Sequence, residues 1–296
     1  MKVAITGATG FLGHYIVRKM QAAGHDCRCW FRSQHRCYQI DEGLNVEWIP
    51  GELGNADACD QLVENCDAVV HSGLHRSGSA FRGGDLEEFV RRNILGTIQL
   101  IEAARRHEVD RFVFISTCAV HEKILDDRPL DETHPLWVTT HYGAHKAAVE
   151  QFVHSYGFGA GYPICALRPT GIYGLHHVPA HSKWYKLVQQ VVCGETVECS
   201  RGGKEVHAAD VAEAVELLLH ADSIAGEAYS CYDRYVTELE VARLAKEISG
   251  SGSQIQGDMP VPKHQIVSDK IKDLGMRFGG DQRLKQTVTE LVDSVN

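Results

Sequence analysis

Residues 1–13 read MKVAITGATGFLG. The short apolar run Val3-Ala4-Ile5 leads into Gly7, Gly10 and Gly13, and Phe11-Leu12 opens an amphipathic pattern through Arg18 and Met20. A buried strand, a tight glycine turn and a helix start account for each of those choices. The turn needs a positive φ and a close backbone approach, which glycine alone supplies without strain. The helix start turns free N–H groups and the positive end of its dipole toward an anion. Glycine spacing by itself is weak. Its place between a strand and a helix makes a dinucleotide pyrophosphate the expected ligand.

The remaining composition narrows the class. The chain has 296 residues, 44% hydrophobic and 23% charged, enough for one large α/β domain with a smaller lobe. Its net charge is −9 with no lysine or arginine run, so neither nucleic acid nor an anionic membrane is an expected partner. No apolar stretch approaches membrane-spanning length, and the first residues read as a strand instead of a leader, so a cytoplasmic location is expected. The ten cysteines are scattered without a C-x-x-C pair and read as free thiols. His176, His177 and His181 are the closest histidine cluster, but no acid sits beside them at ligand spacing, and no metal is expected.

Outward from the first turn, strands and helices alternate. Asp26–Phe31, Val46–Ile49, Asp67–His71, Arg111–Ile115 and Ile164–Arg168 read as strands. Helical spacing fills 56–65, 86–107 and the stretch after His141. This rhythm predicts an α/β fold of Rossmann type, a doubly wound parallel sheet with right-handed crossovers. The second strand closes on Phe31-Arg32-Ser33, with Arg36 following and no acid before Asp41. An acid there would hold the ribose hydroxyls of NAD, whereas an arginine pairs with the 2′-phosphate of NADP, so NADP is favoured over NAD. Pro50-Gly51-Glu52-Leu53 is a turn placed to face an adenine, and Ser72-Gly73 supplies small residues at a strand's carboxyl end. The segment 74–85 is glycine- and serine-rich and reads as a loop. Tyr142 and Lys146 are four apart and share one helix face.

Several separated features coincide with one family. The chain resembles the extended short-chain dehydrogenases/reductases, the NAD-dependent epimerases/dehydratases, from Met1 to about Leu274. The resemblance rests on Gly7, Gly10 and Gly13, on Asn93 with Gly96-Thr97, on Ser116-Thr117, and on Y-x-x-x-K at Tyr142 and Lys146. It continues with R-P-x-x-x-Y-G from Arg168 to Gly174 and V-H-x-x-D from Val206 to Asp210. It implies that Thr117, Tyr142 and Lys146 are catalytic. The interval from Thr117 to Tyr142 matches the family's, which selects Thr117 over Ser116. A phenol titrates near 10, so Tyr142 needs neighbouring positive charge to act as a base, and Lys146 is the expected source. The resemblance further implies cofactor contacts at Gly7, Thr9, Gly10, Phe11, Leu12, Gly13, Arg32, Glu52, Leu53, Ser72, Gly73, Asn93, Ser116, Tyr142, Lys146, Pro169, Gly171 and Ile172. It also implies a homodimer through the helices bearing Asn93 and Tyr142.

Departures from the family bear on the substrate. Dehydratase members carry an acidic pair after the catalytic threonine, where this chain has Cys118-Ala119. Nucleotide-sugar members place an asparagine and an arginine on the substrate diphosphate. Here Gly171 and Gly203 stand at those positions, the latter flanked by Arg201 and Lys204. Three readings follow. The first is an NADP-dependent reductase or dehydrogenase of a small carbonyl/alcohol substrate. The second is a sugar or nucleotide-sugar epimerase on a retained cofactor, and the third a non-catalytic cofactor-sensing scaffold, against which intact Thr117, Tyr142 and Lys146 argue. The expected division is a nucleotide-binding domain of residues 1–170 and 204–232, with a substrate lobe of 171–203 and 233–296.

Overall fold

The computed structural model describes residues 1–32, 45–76 and 84–295. Arg36 and part of the loop expected at 74–85 lie outside the described residues. The chain divides into two compact units, and the first comprises Met1–Pro169, Val211–Cys231 and Val267–Met276.

The first unit is built on seven strands: β1 (Lys2–Thr6), β2 (Asp26–Phe31), β3 (Val46–Pro50), β4 (Ala68–His71), β5 (Arg111–Ile115), β6 (Ile164–Pro169) and β10 (Ala228–Cys231). They form one parallel sheet in the order β10-β6-β5-β4-β1-β2-β3. Near-continuous apolar runs such as RFVFI and AVVH belong in a parallel sheet because helices cover both faces. Val3, Val69, Phe112 and Ile164 are accordingly sealed from solvent. The strand order reverses direction between β1, flanked by β2, and β4, flanked by β5. In an open α/β sheet a ligand crevice forms at that switch point, beyond the carboxyl ends of the strands. The turns after β1 and β4 meet there: Ser72 Oγ donates to the Thr6 carbonyl at 2.8 Å, and Gly73 N donates to Thr6 Oγ1 at 3.0 Å.

Helices cross between the strands. Phe11–Ala22 follows β1, Ala56–Val63 is capped by Asn55 accepting from Ala58 N, and His141–His154 is capped by Thr140 accepting from Gly143 N. The long helix expected from Leu86 runs as Leu86–Val90, a π turn over Arg91–Leu95 that buries Asn93, and Gly96–Arg106. A π turn adds one residue to the spiral and is frequent at functional positions. Among the described residues no helix is long and apolar enough to cross a membrane. The described cysteines are free thiols, all buried except Cys118 and Cys193.

The second unit comprises Thr170–Asp210, Tyr232–Ile266 and Arg277–Asn296. β9 (Gly202–His207) pairs parallel with β7 (Gly171–Tyr173) and antiparallel with β11 (Arg234–Thr237). A smaller sheet pairs β8 (Val197–Cys199) with β12 (Ile255–Gly257). The helices Tyr185–Val192, Glu238–Ser249 and Gly280–Val295 pack around Tyr173, Val188, Val236, Leu239 and Leu291.

The expected boundaries need two corrections. Residues 204–210 belong to the second unit, because β9 hydrogen-bonds to β7 and β11 and not to the large sheet. Residues 267–276 return to the first unit, where Val267 N donates to the Leu130 carbonyl at 2.9 Å and Lys270 pairs with Glu227. Both differences have one cause: partnership between distant segments leaves no local trace in composition.

Candidate active site

The opening glycines take up the strand–turn–helix geometry. Gly7 has a φ of +74°, and a Cβ there would lie 2.8 Å from Gly73 N. At Gly13 a Cβ would come within 2.1 Å of the Gly7 carbonyl oxygen, so the helix start is pressed onto the turn. Gly10 differs: it is exposed, and of the surrounding atoms only Gly7 O, at 3.2 Å, lies within 4 Å of such a Cβ. Gly10 is also the N-cap of Phe11–Ala22 and offers no side-chain acceptor. A helix lacks intrahelical acceptors for its first N–H groups. An exposed helix start without a side-chain cap fits a pyrophosphate.

At the carboxyl ends of β2 and β3 a cleft of about 510 Å³ opens, lined among others by Phe31, Arg32, Glu52, Asn55, Asp57 and Gln61. Arg32 lines this cleft. Glu52 is there too, but Arg92 engages its carboxylate at 2.8 Å, and the same arginine donates to the Leu53 carbonyl at 2.8 Å. The Glu52-Leu53 turn is therefore fixed from the π-turn helix, with backbone and not a free acid turned to a ligand. Gly96 packs on this turn, since a Cβ would lie 2.6 Å from Gly54 N.

Asn93 also acts through backbone. Its amide donates to the His75 carbonyl at 2.9 Å and accepts from His75 N at 2.8 Å, clamping the segment that carries Ser72-Gly73. Beneath that segment lies a polar chain that the sequence did not signal. Thr97 Oγ1 donates to the Asn93 carbonyl at 2.6 Å, so it can only accept from His71 Nε2, 2.9 Å away. His71 Nδ1 must then accept from Thr6 Oγ1 at 2.6 Å. This order needs a neutral imidazole, and burial with the nearby Lys146 charge holds His71 down to about 3.

Thr117 follows β5, and its oxygen accepts from Ala119 N at 3.1 Å, closing a short 3-10 turn over Cys118–Val120. The helix His141–His154 begins hard against this turn: a Cβ at Gly143 would lie 3.1 Å from the Ala119 carbonyl oxygen. Glu122 fixes the helix start by accepting from Thr140 N at 3.0 Å and Thr140 Oγ1 at 2.8 Å. Thr117 and Tyr142 are thereby brought into hydrogen-bond contact. Burial raises the Tyr142 phenol above its ordinary value, with the Thr117 hydrogen bond and the charge of Arg76 opposing. Arg76 is thus one cation acting on Tyr142. Lys146, expected in that role, donates to the Ile115 carbonyl at 2.7 Å, and burial brings it down to about 7 against the pull of Glu150.

Glu150 continues the face of Tyr142 and Lys146 by one more turn. It accepts from Ser116 Oγ and from Arg168, whose Nη2 lies 2.6 Å from Oε2. Ser116, expected at the cofactor, therefore turns its hydroxyl to a buried carboxylate. Arg168 also donates to the Glu132 carbonyl at 3.1 Å and contacts His121 Nε2 at 3.3 Å. The i, i+4 spacing from Lys146 to Glu150 was the available signal for this pair.

Pro169 ends β6 in the first unit, whereas Gly171 and Ile172 lie on β7 of the second. There Tyr173 packs edge-on against His207, ring centroids 5.1 Å apart, and Asp210 accepts from Gly279 N at 3.0 Å. The R-P-x-x-x-Y-G and V-H-x-x-D segments meet as scaffold. Among the described residues, His25, Glu216 and His220, none of them singled out in the sequence, bring potential metal-ligating atoms within 4.8 Å of one another.

Comparison with known proteins bears on this geometry. A family model described as "NAD dependent epimerase/dehydratase family" matches residues 3–231. The 4-hydroxy-2-methyl-3-oxo-4-farnesyl-3,4-dihydroquinoline-1-oxide ketoreductase of Stigmatella aurantiaca is 32% identical over 179 residues, covering 59% of this chain and 51% of that protein. The chain thus spans about half the length of that relative. The dTDP-D-glucose 4,6-dehydratase of Homo sapiens is 28% identical, covering 93% of this chain and 85% of its own. Among solved structures, a UDP-glucose 4-epimerase from Thermus thermophilus in complex with NAD superposes with a TM-score of 0.77 over 99% of both chains. At 23% identity that likeness shows the fold alone.

Proposed function

The chain belongs to the NAD-dependent epimerase/dehydratase family, and from that premise we propose that it is an oxidoreductase moving a hydride between a nicotinamide dinucleotide and a carbonyl/alcohol carbon of a small substrate. The observation that carries this reading is the contact of Thr117 with Tyr142, one helical turn from a lysine anchored to the end of β5. Bound in the glycine cradle, the dinucleotide would supply or accept the hydride.

The chain's own residues do the rest. A half-buried, protonated Tyr142 is suited to give its proton to a carbonyl oxygen as that oxygen becomes an alcohol. Thr117 holds the phenol and the reacting oxygen in register. Lys146, lowered by burial to about 7, can restore the proton or fix a ribose hydroxyl. In the oxidative direction the phenol must first lose its proton, and a positive ring beside it would favour that.

Elimination of water is disfavoured. Cys118 stands where dehydratases carry an acid. Burial pushes its thiol up to about 12, and it donates to the Arg168 carbonyl at 2.9 Å. Arg32 in the β2–β3 cleft supports NADP over NAD. A homodimer is supported by exposed apolar side chains on the helices of Asn93 and Tyr142, namely Leu86, Val90, Leu95 and Phe152. A cytoplasmic location is part of the same reading.

Denaturing the purified protein and identifying any released nucleotide tests the proposal. Loosely bound or absent NADP with NADPH-dependent carbonyl reduction is expected; stoichiometric, non-exchanging NAD would replace it with an epimerase. Tyr142→Phe should abolish turnover while cofactor affinity stays within about twofold, and retained turnover would refute the role of the phenol.

A further inference from the structure

Two glycines in the second unit make room for one carboxylate. A Cβ at Gly171 would lie 2.5 Å from Glu205 Oε2, and one at Gly203 would lie 2.3 Å from Glu205 Oε1. A carboxylate at the end of a flexible side chain could ordinarily swing aside. Glu205 cannot do so freely, because it is buried and Lys183 Nζ holds both its oxygens at 2.5 Å. Gly171 and Gly203 are also the positions where the diphosphate-binding asparagine and arginine of nucleotide-sugar relatives are missing. One side chain therefore accounts for both losses. Either replacement would collide with Glu205.

Glu205 borders a cavity of about 330 Å³ whose lining includes Lys183, Trp184, Arg201, Val236 and Glu238. The two cations and two carboxylates of this lining cancel in formal charge. No net positive charge is left to neutralise a pyrophosphate, and a carboxylate replaces the donors that such a group requires. Lys183 occupies only part of the Glu205 carboxylate, which has about four lone-pair sites and can accept from a hydroxyl or N–H group. Trp184 and Val236 supply an apolar wall beside it.

We propose that this cavity of the second unit is a ligand site selected by Glu205, open to an uncharged group that donates hydrogen bonds and closed to the pyrophosphate of a nucleotide sugar. The proposal rests on the small-carbonyl reading above and narrows it.

Calorimetric titration of the full chain with UDP and with UDP-glucose tests it, using wild type and Glu205→Gln with matched melting temperatures. The substitution keeps the side-chain volume, removes one repulsive charge and frees Lys183. Wild type should give no binding heat at millimolar nucleotide, and Glu205→Gln should gain affinity at least about tenfold. Micromolar binding by wild type overturns the proposal. So does an absence of gain in the variant, since Glu205 would then not be what excludes the diphosphate. Fluorescence titration with NADPH and NADH in the same preparations keeps the two readings apart: failure to bind either cofactor sinks the oxidoreductase assignment, whereas the nucleotide titration judges Glu205 without any turnover.

Discussion

Arg168 donates to both carboxylate oxygens of Glu150, 2.6 Å at the shortest contact, and both side chains are sealed from solvent. Breaking such a pair strands a buried charge, which costs about 3–5 kcal/mol, although an apolar pair of similar volume can be tolerated. Glu150→Ala should therefore lower the urea midpoint by that free energy at unchanged m. The double variant Glu150→Leu/Arg168→Met should lose clearly less than the two single losses combined. Additive losses would show that the two groups act independently.

Lys146 makes stability depend on pH. Burial lowers it from 10.5 to about 7 in the folded chain. Between those values the unfolded chain holds the proton more tightly, so stability rises as pH increases through that window. Below about 7 both states are protonated, and the burial cost is constant. Melting temperatures of wild type and Lys146→Met, compared from pH 6.5 to 10, should diverge in slope, with the rise absent from the variant. Parallel curves would count against the depressed lysine.

Gly10 and Gly13 should fail in different ways when replaced by alanine. At Gly13 the added methyl would fall 2.1 Å from Gly7 O, a clash with backbone that cannot yield, so the turn or the whole first unit should be lost. At Gly10 the methyl would meet only Gly7 O within 4 Å, at 3.2 Å, a contact relieved by a small shift, and would stand over the exposed helix start. Gly10→Ala should therefore fold with a near-native circular dichroism spectrum and melting temperature while losing NADPH affinity at least about tenfold. Undiminished affinity in that variant would place the pyrophosphate elsewhere.

Arg32 lines the cleft at the ends of β2 and β3 together with Glu52 and Asp57. If it pairs with a 2′-phosphate, Arg32→Ala should weaken NADPH about tenfold or more, as expected for one partly exposed charge-assisted hydrogen bond, and leave NADH nearly unchanged. Fluorescence titration with each cofactor reads the ratio directly. A ratio that does not move would remove the basis for NADP.

Much of this protein could be read without coordinates. Apolar runs broken by glycine fix β1 and its turn, because a buried parallel strand and a positive φ each restrict residue type locally. Tyr142 and Lys146 fall on one face through helical period alone. Other features arise only from contacts between distant segments. β9 could not be assigned to the second unit before its pairing with β7 and β11 was known, and β10, Ala228–Cys231, is interrupted by Ser230 and lacks the continuous apolar run of the other buried strands. Only the fold shows Glu150 against the Ser116 hydroxyl and the Ile115 carbonyl against the Lys146 ammonium. Gly171 and Gly203 read in sequence as lost ligands. Their common cause is the space that Glu205 occupies, which close packing decided and no local pattern encodes.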